Sequence, residues 1–189
     1  MIIEQTFTVS GSREEVARFL AAPDQMLYCV PGVESVTQED DGSYKATLKA
    51  KVGPIRASFT GNVSIDSSQT PDRITASGEG RDRATGTVAK VTLDADLTET
   101  EPGVTTISSR ADVALRGRLG QFGTGVIQSI AGEMIEQFAR CVETRVAGDD
   151  TGAAPEAVSS PNLASVAMRG VARSAASRLR GGRNKEEEQ

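Results

Sequence analysis

Reactive side chains are scarce in this 189-residue chain, and the most informative is one that never occurs: histidine. Imidazole is the commonest general acid/base near neutral pH and a leading metal ligand. Without it, Ser–His and Cys–His nucleophiles and histidine-containing metal sites are excluded. Cys29 and Cys141 stand far apart in sequence and are too few to close a structural zinc site. They are expected to be buried, reduced thiols that act as small apolar residues. Asp94 and Asp96 look like paired carboxylates, but they alternate with Leu93, Ala95 and Leu97 and so read as a solvated strand face. Arg81-Asp82-Arg83 reads as an exposed loop. Gly120, Gly123 and Gly125 lead into a helical pattern. Their spacing matches neither a P-loop nor a dinucleotide fingerprint, and no Lys-Ser/Thr follows; close packing of helix on strand is the expected reason for them. What remains for polar recognition is Tyr28, Arg118 and Gln121, each able to hydrogen-bond a carbonyl at the mouth of a pocket.

The element that must position these groups runs over residues 119–146. Apolar residues recur at Leu119, Phe122, Val126, Ile127, Ile130, Met134, Ile135, Phe138, Val142 and Val146, a helical spacing held over several turns. Glu133, Glu136, Gln137, Arg140 and Glu143 take the opposite face. Such a helix is roughly 40 Å long, and its wide apolar face must be wrapped by something. The preceding hundred residues supply the wrapper. Residues 2–9 read as a strand. Ser12-Arg13-Glu14-Glu15 is a capping box opening a short helix with Val16, Phe19 and Leu20 inward. Pro23 opens a second short helix to Tyr28. Val30-Pro31-Gly32-Val33 turns into a strand over residues 34–38, and Asp40-Asp41-Gly42 marks a hairpin. From Tyr44 the period is two. Tyr44, Ala46, Leu48, Ala50 and Val52 oppose Lys45, Lys49 and Lys51, and the alternation resumes at Ile55, after Ile74, from Val91 and from Thr105. Residues 81–86 break it as a loop. The fold class is therefore α+β: an antiparallel sheet, polar on one face and covered by the long helix on the other.

The covered face carries unusually small residues: Ala46, Ala50, Ala57, Gly61, Ala76, Gly78, Gly80, Ala95, Ser109 and Ala111. Interiors normally leave few voids. Either helix and sheet approach closely, or a hollow remains. The hollow would be lined by Leu48, Val52, Phe59, Ile74, Ala76, Val91, Leu93, Ile107, Ala111 and Val113 from the sheet. Phe122, Val126, Ile130, Met134 and Phe138 would line it from the helix, with Tyr28 and Arg118 at its rim. An apolar cavity of that kind suits a lipophilic ligand.

Charge divides the chain. Residues 1–150 hold 15 Lys+Arg against 22 Asp+Glu, a net of −7, whereas residues 151–185 carry Arg169, Arg173, Arg178, Arg180, Arg183 and Lys185 against Glu156 alone. Residues 1–147 are read as one helix-grip domain, 148–161 as a flexible linker, 162–180 as a basic amphipathic helix and 181–189 as a solvated end. On the 162–180 wheel Ala164, Met168, Val171, Ala172, Ala175 and Leu179 share a side. Arg169, Arg173 and Arg180 form a stripe on one flank, with Arg178 on the other. That pattern suits weak, reversible binding to an anionic membrane surface; the alternative is a solubilising tail. Nucleic acid is not expected, because the body is acidic and no aromatics interleave the basic residues. The start of the chain lacks a signal-peptide pattern and no apolar run spans a bilayer. The expected location is cytoplasmic, peripheral at the inner face of the membrane.

Several segments together carry a family resemblance: Phe7, Arg18-Phe19-Leu20, Val30-Pro31-Gly32-Val33, Lys51-Val52-Gly53-Pro54-Ile55 with Phe59 and Gly61, Gly78-Glu79-Gly80, and Gly117-Arg118-Leu119-Gly120-Gln121-Phe122-Gly123. Over roughly residues 1–146 the chain resembles the CoxG-like family of carbon monoxide dehydrogenase subunits, within the START/Bet v 1-like (SRPBCC) superfamily. The resemblance implies a helix-grip fold with an apolar cavity. It also implies a non-enzymatic accessory role beside a molybdenum CO dehydrogenase, recruiting that enzyme to the membrane. Coenzyme-Q-binding relatives in the superfamily point to an isoprenoid quinone, menaquinone above all, as bound ligand carried between membrane and enzyme. A pure recruitment adaptor and a cyclase- or hydratase-like enzyme are the alternatives.

Overall fold

The computed structural model describes residues 1–52 and 54–148. β1 (Ile2–Ser10) leads into α1 (Arg13–Leu20), α2 (Pro23–Met26) and a 3-10 turn over Leu27–Cys29. Six strands follow: β2 (Val33–Gln38), β3 (Tyr44–Val52), β4 (Ile55–Asp66), β5 (Arg73–Asp82), β6 (Thr87–Glu101) and β7 (Val104–Arg116). A 3-10 turn over Arg118–Gln121 then precedes α3 (Thr124–Val146). All pairings are antiparallel, in the order β1-β7-β6-β5-β4-β3-β2. The strands run on through hairpins, and the only long jump is β1, which pairs with β7 at the edge. The curved sheet folds over α3, which lies against β1, α1 and the 27–29 turn.

The capping box is present. Ser12 Oγ accepts from the Glu15 amide, and the Glu15 carboxylate accepts from the Ser12 amide at 3.0 Å. Those bonds, the Ser12 hydroxyl first, hold the Glu15 carboxyl below its usual range.

Three local expectations change. The long helix does not start at Leu119. Gly117 sits at φ 86°, a conformation glycine adopts without strain, the chain makes a single 3-10 turn, and Phe122 and Gly123 are extended before α3 begins. Arg81 and Asp82 belong to β5, not to an exposed loop, and Asp82 is only 4% exposed. Cys29 and Cys141 are not reduced thiols. They form a disulfide with Cα atoms 5.4 Å apart, because α3 packs directly over the 27–29 turn. Sequence distance hid a pairing that tertiary packing made.

Apolar packing falls into two clusters rather than one. The larger joins Val9, Val16, Ala17, Leu20, Cys29, Ile74, Ala95, Leu97, Ile107 and Val142, with Phe7 and Phe138 meeting edge to face at 6.2 Å. The smaller joins Val52, Ala57, Leu119 and Ile130, with Ile55, Phe59, Phe122, Ile127 and Met134 packed against it. Ser10 donates from both its amide and its hydroxyl to Glu143, fixing the C-terminal part of α3 over the larger cluster. The disulfide pins the same region.

Candidate functional site

The two clusters lie toward opposite ends of the sheet, and the stretch between them is the candidate site. Along the inner face of β6, Thr87 is buried, Ala89 is half-buried, Val91 is 36% exposed, Leu93 is half-buried, and Ala95 and Leu97 are buried again. A surface apolar residue flanked by buried ones on the same face means that nothing covers the middle of the strand. The neighbouring strands repeat the pattern. Register aligns Gly78, Val91 and Val113 in one row, and Ala76, Leu93 and Ala111 in the next. Val113, Ala76, Leu93 and Ala111 are all half-buried. The small residues thus sit where packing against α3 is incomplete.

Each expected lining residue has a definite place. Leu48 and Phe59 face each other across β3 and β4 and are half-buried. Ile130, Met134 and Phe122 belong to the smaller cluster, and Phe138 packs on the larger one. Val52 is buried in the smaller cluster, whereas Ile74 and Ile107 are buried in the larger one, at the far end of the stretch. Val126 is 37% exposed in the first turn of α3. Tyr28 is half-buried, and Arg118 and Gln121 are exposed on the 118–121 turn. Met168, Arg169, Val171, Arg173, Arg178, Leu179 and Arg180, with the whole 149–189 tail, lie outside the described residues.

The Gly-Arg-Leu-Gly-Gln-Phe-Gly segment owes its pattern to close approach. A Cβ on Gly117 would collide with the Gly86 carbonyl, and one on Gly120 with the Leu115 carbonyl. Gly123 and Gly125 meet nothing, so close packing does not explain them. Leu119 is buried, and its amide donates to Thr87 Oγ1 at 3.3 Å. Thr87 in turn shares a hydrogen bond with Thr85 at 2.7 Å, and Thr85 donates from its amide and hydroxyl to Asp82. Asp82 therefore holds the β5–β6 turn and, through it, the entry to α3. The Thr85 hydroxyl does most to keep the Asp82 carboxyl below its usual value, against the opposing pull of burial. Sequence reasoning missed this group because the acidic residue of Arg-Asp-Arg looks like any surface loop.

Two polar side chains of α3 were also misplaced by the helical wheel. Glu133 and Gln137 are half-buried rather than solvated. Gln137 Nε2 donates to Glu133 at 3.1 Å, while Gln137 Oε1 is buried without a partner. Gln137 sits on α3 between Met134 of one cluster and Phe138 of the other. Asp94 and Asp96 do lie on the outer face. Arg73 engages both, with Asp94 at 2.7 Å. Among the described residues no group of three or more His, Cys, Asp or Glu is arranged to hold a metal. No described helix is long and apolar enough to cross a membrane.

Known structures share this architecture. A Geobacillus kaustophilus protein superposes with TM-score 0.72 at 17% identity, over 79% of this chain and 97% of its own. A Thermus thermophilus protein gives 0.58 at 14%, over 80% and 100%. The Zhui aromatase/cyclase of a Streptomyces species gives 0.51 at 15%, over 79% and 92%. No curated protein matches the chain. The curved seven-stranded antiparallel sheet closed on a C-terminal helix is the helix-grip fold of START/Bet v 1-like proteins. Within that class the assignment is specific: the sequence model of the CoxG family of carbon monoxide dehydrogenase subunits matches residues 6–147, and the chain belongs to that family. The family is named for an accessory component of the dehydrogenase, not for a catalytic one.

Proposed function

We propose that this protein is a non-catalytic partner of a molybdenum CO dehydrogenase that encloses a lipophilic guest between sheet and α3. The guest is an isoprenoid quinone, menaquinone in the first instance, carried between membrane and enzyme. The observation that supports this most is the uncovered apolar row around Val91, Leu93 and Ala111, bounded by a packed cluster at each end. A folded protein gains roughly 25 cal/mol per Å² by hiding such surface, so leaving it open requires a reason, and an occupant supplies one. Each buried methylene of an isoprenoid tail is worth ~0.8 kcal/mol. That both keeps quinones out of water and makes an apolar hollow a strong receiver. A soluble dehydrogenase must reach such an acceptor to pass on its electrons.

Native mass spectrometry and solvent extraction of the purified protein test the proposal, together with a titration using a short-chain quinone analogue. Co-purified quinone or saturable binding supports it. Fatty acid alone, with no affinity for quinone, refutes it and leaves recruitment of the enzyme to the membrane as the function. Turnover of a polyketide-like substrate would instead bring the protein to the chemistry of the Streptomyces cyclase, whose likeness here is one of fold.

A further inference from the structure

The two ends of the sheet differ in charge. One end gathers the β2–β3, β4–β5 and β6–β7 turns and the start of α1, and carries Glu39, Asp40, Asp41, Asp72, Glu99 and Glu101. The other gathers the β3–β4 and β5–β6 turns and the 117–123 segment. There stand Lys51, Arg56, Arg83, Arg116 and Arg118, and none of the five has an ion-pair partner among the described residues. The carboxylates nearby are already engaged: Glu34 by Lys49 at 2.7 Å, Glu79 by Lys90 at 2.8 Å, and Asp82 by Thr85. Lys51 and Arg56 are direct cross-strand partners, an arrangement that like charges make unfavourable. A body of net charge −7 over residues 1–150 thus keeps an unneutralised cationic rim at one end.

That rim surrounds the more weakly closed end of the molecule. The larger cluster and the Cys29–Cys141 disulfide close the acidic end, while four buried residues close the basic one. Apolar Pro54 and Val126 are exposed among the charges. The cations are distributed over three separate chain segments instead of forming one compact fork. A field of mobile headgroups meets such a ring from every side, whereas a fixed acidic patch on a protein would have to match it point by point.

We propose that this basic end is the face with which the folded domain meets an anionic phospholipid bilayer, the acidic end pointing into solution. Arginine and lysine hold headgroup phosphates, Pro54 and Val126 enter the headgroup layer, and the molecule's charge asymmetry orients it within a Debye length, about 8 Å at physiological salt. The inference extends the carrier reading by naming the face through which a guest would pass. Its test uses no guest, so either idea can fail alone.

Full-length protein is sedimented with vesicles of phosphatidylglycerol and phosphatidylcholine, and with phosphatidylcholine alone. Neutralising the rim in an Arg56→Gln/Arg116→Gln/Arg118→Gln variant is expected to weaken partitioning roughly fivefold per charge, the equivalent of about 1 kcal/mol each. The corresponding Arg→Lys triple variant, equally folded by circular dichroism, is expected to retain most of the binding. An Arg169→Gln/Arg173→Gln/Arg180→Gln variant separates the rim from the tail. If the glutamine rim variant sediments like the wild type, or if the wild type binds neutral vesicles equally well, the proposal is overturned. Loss of binding in both rim variants would also overturn it, since charge would then not be the cause.

Discussion

Substituting Ala111 by phenylalanine asks directly whether the middle of the inner face is open. Ala111 pairs with Leu93, and Leu93 with Ala76, so a phenyl ring there projects into the row that the two clusters leave uncovered. In a close-packed interior the added ring would overpack and cost about 1–3 kcal/mol. In an open stretch it instead meets space and other half-buried apolar groups. The expected change in urea-unfolding free energy is then within about 0.5 kcal/mol, the range of a surface substitution. Binding should respond in the opposite sense. A ring that displaces two or three methylenes of a guest removes about 1.6–2.4 kcal/mol of burial at ~0.8 kcal/mol each, or roughly 15- to 60-fold in affinity. The assay pairs urea unfolding of guest-free protein with titration of a short-chain quinone analogue. A loss of more than about 1 kcal/mol in stability with unchanged affinity would show solid packing between sheet and helix and would refute the carrier reasoning.

Further outcomes follow from the same contacts. The Cys29–Cys141 bridge spans 112 residues of sequence, and closing so long a loop is worth about 5 kcal/mol on the chain-entropy model. A Cys29→Ser/Cys141→Ser variant should lose a large part of that in equilibrium unfolding, and no loss would mean that the bridge constrains nothing. Asp82→Ala strands the Thr85 donors and should cost about 2–3 kcal/mol. The Asp82 carboxyl is lowered in the folded state, so its stabilisation is complete above the unfolded value of about 3.9 and is lost as pH falls through the lower folded value. Unfolding measured between neutral and acid pH should therefore decline below about pH 4 more steeply in the wild type than in Asp82→Asn, and parallel curves would contradict the assignment. Gln137→Met removes a buried acceptor with no partner. Thermal unfolding of the guest-free variant should match the wild type or exceed it by up to about 1 kcal/mol; a clear loss would reveal a partner for that oxygen.

Local signals carried far in this chain wherever chemistry was local. Alternation from Tyr44 onward dictated an antiparallel sheet, because period two puts alternate side chains on opposite faces whatever the neighbours are. Ser12 and Glu15 specified the start of α1 because a capping box closes within three residues. The missing histidine removed whole classes of catalysis by composition alone. The small residues of the inner face, Ala76, Gly78 and Ala111 among them, raised the question of a hollow but could not answer it, because side-chain size does not fix the distance between sheet and helix.

Tertiary structure decided whatever depended on residues distant in sequence. Cys29 and Cys141 met only because α3 crosses the 27–29 turn. Asp82 became a buried anchor only because the β5–β6 turn folds its own donors onto it and presents Thr87 to Leu119. Gly117 and Gly120 were needed where two carbonyls approach, which no spacing rule records. Lys51, Arg56, Arg83, Arg116 and Arg118 lie scattered through an acidic sequence and form one basic end only after antiparallel pairing brings their turns together. Periodicity and composition are legible in the sequence because they are properties of neighbours along the chain. Closure, burial and charge asymmetry belong to contacts between segments, and these exist only once the sheet has wrapped its helix.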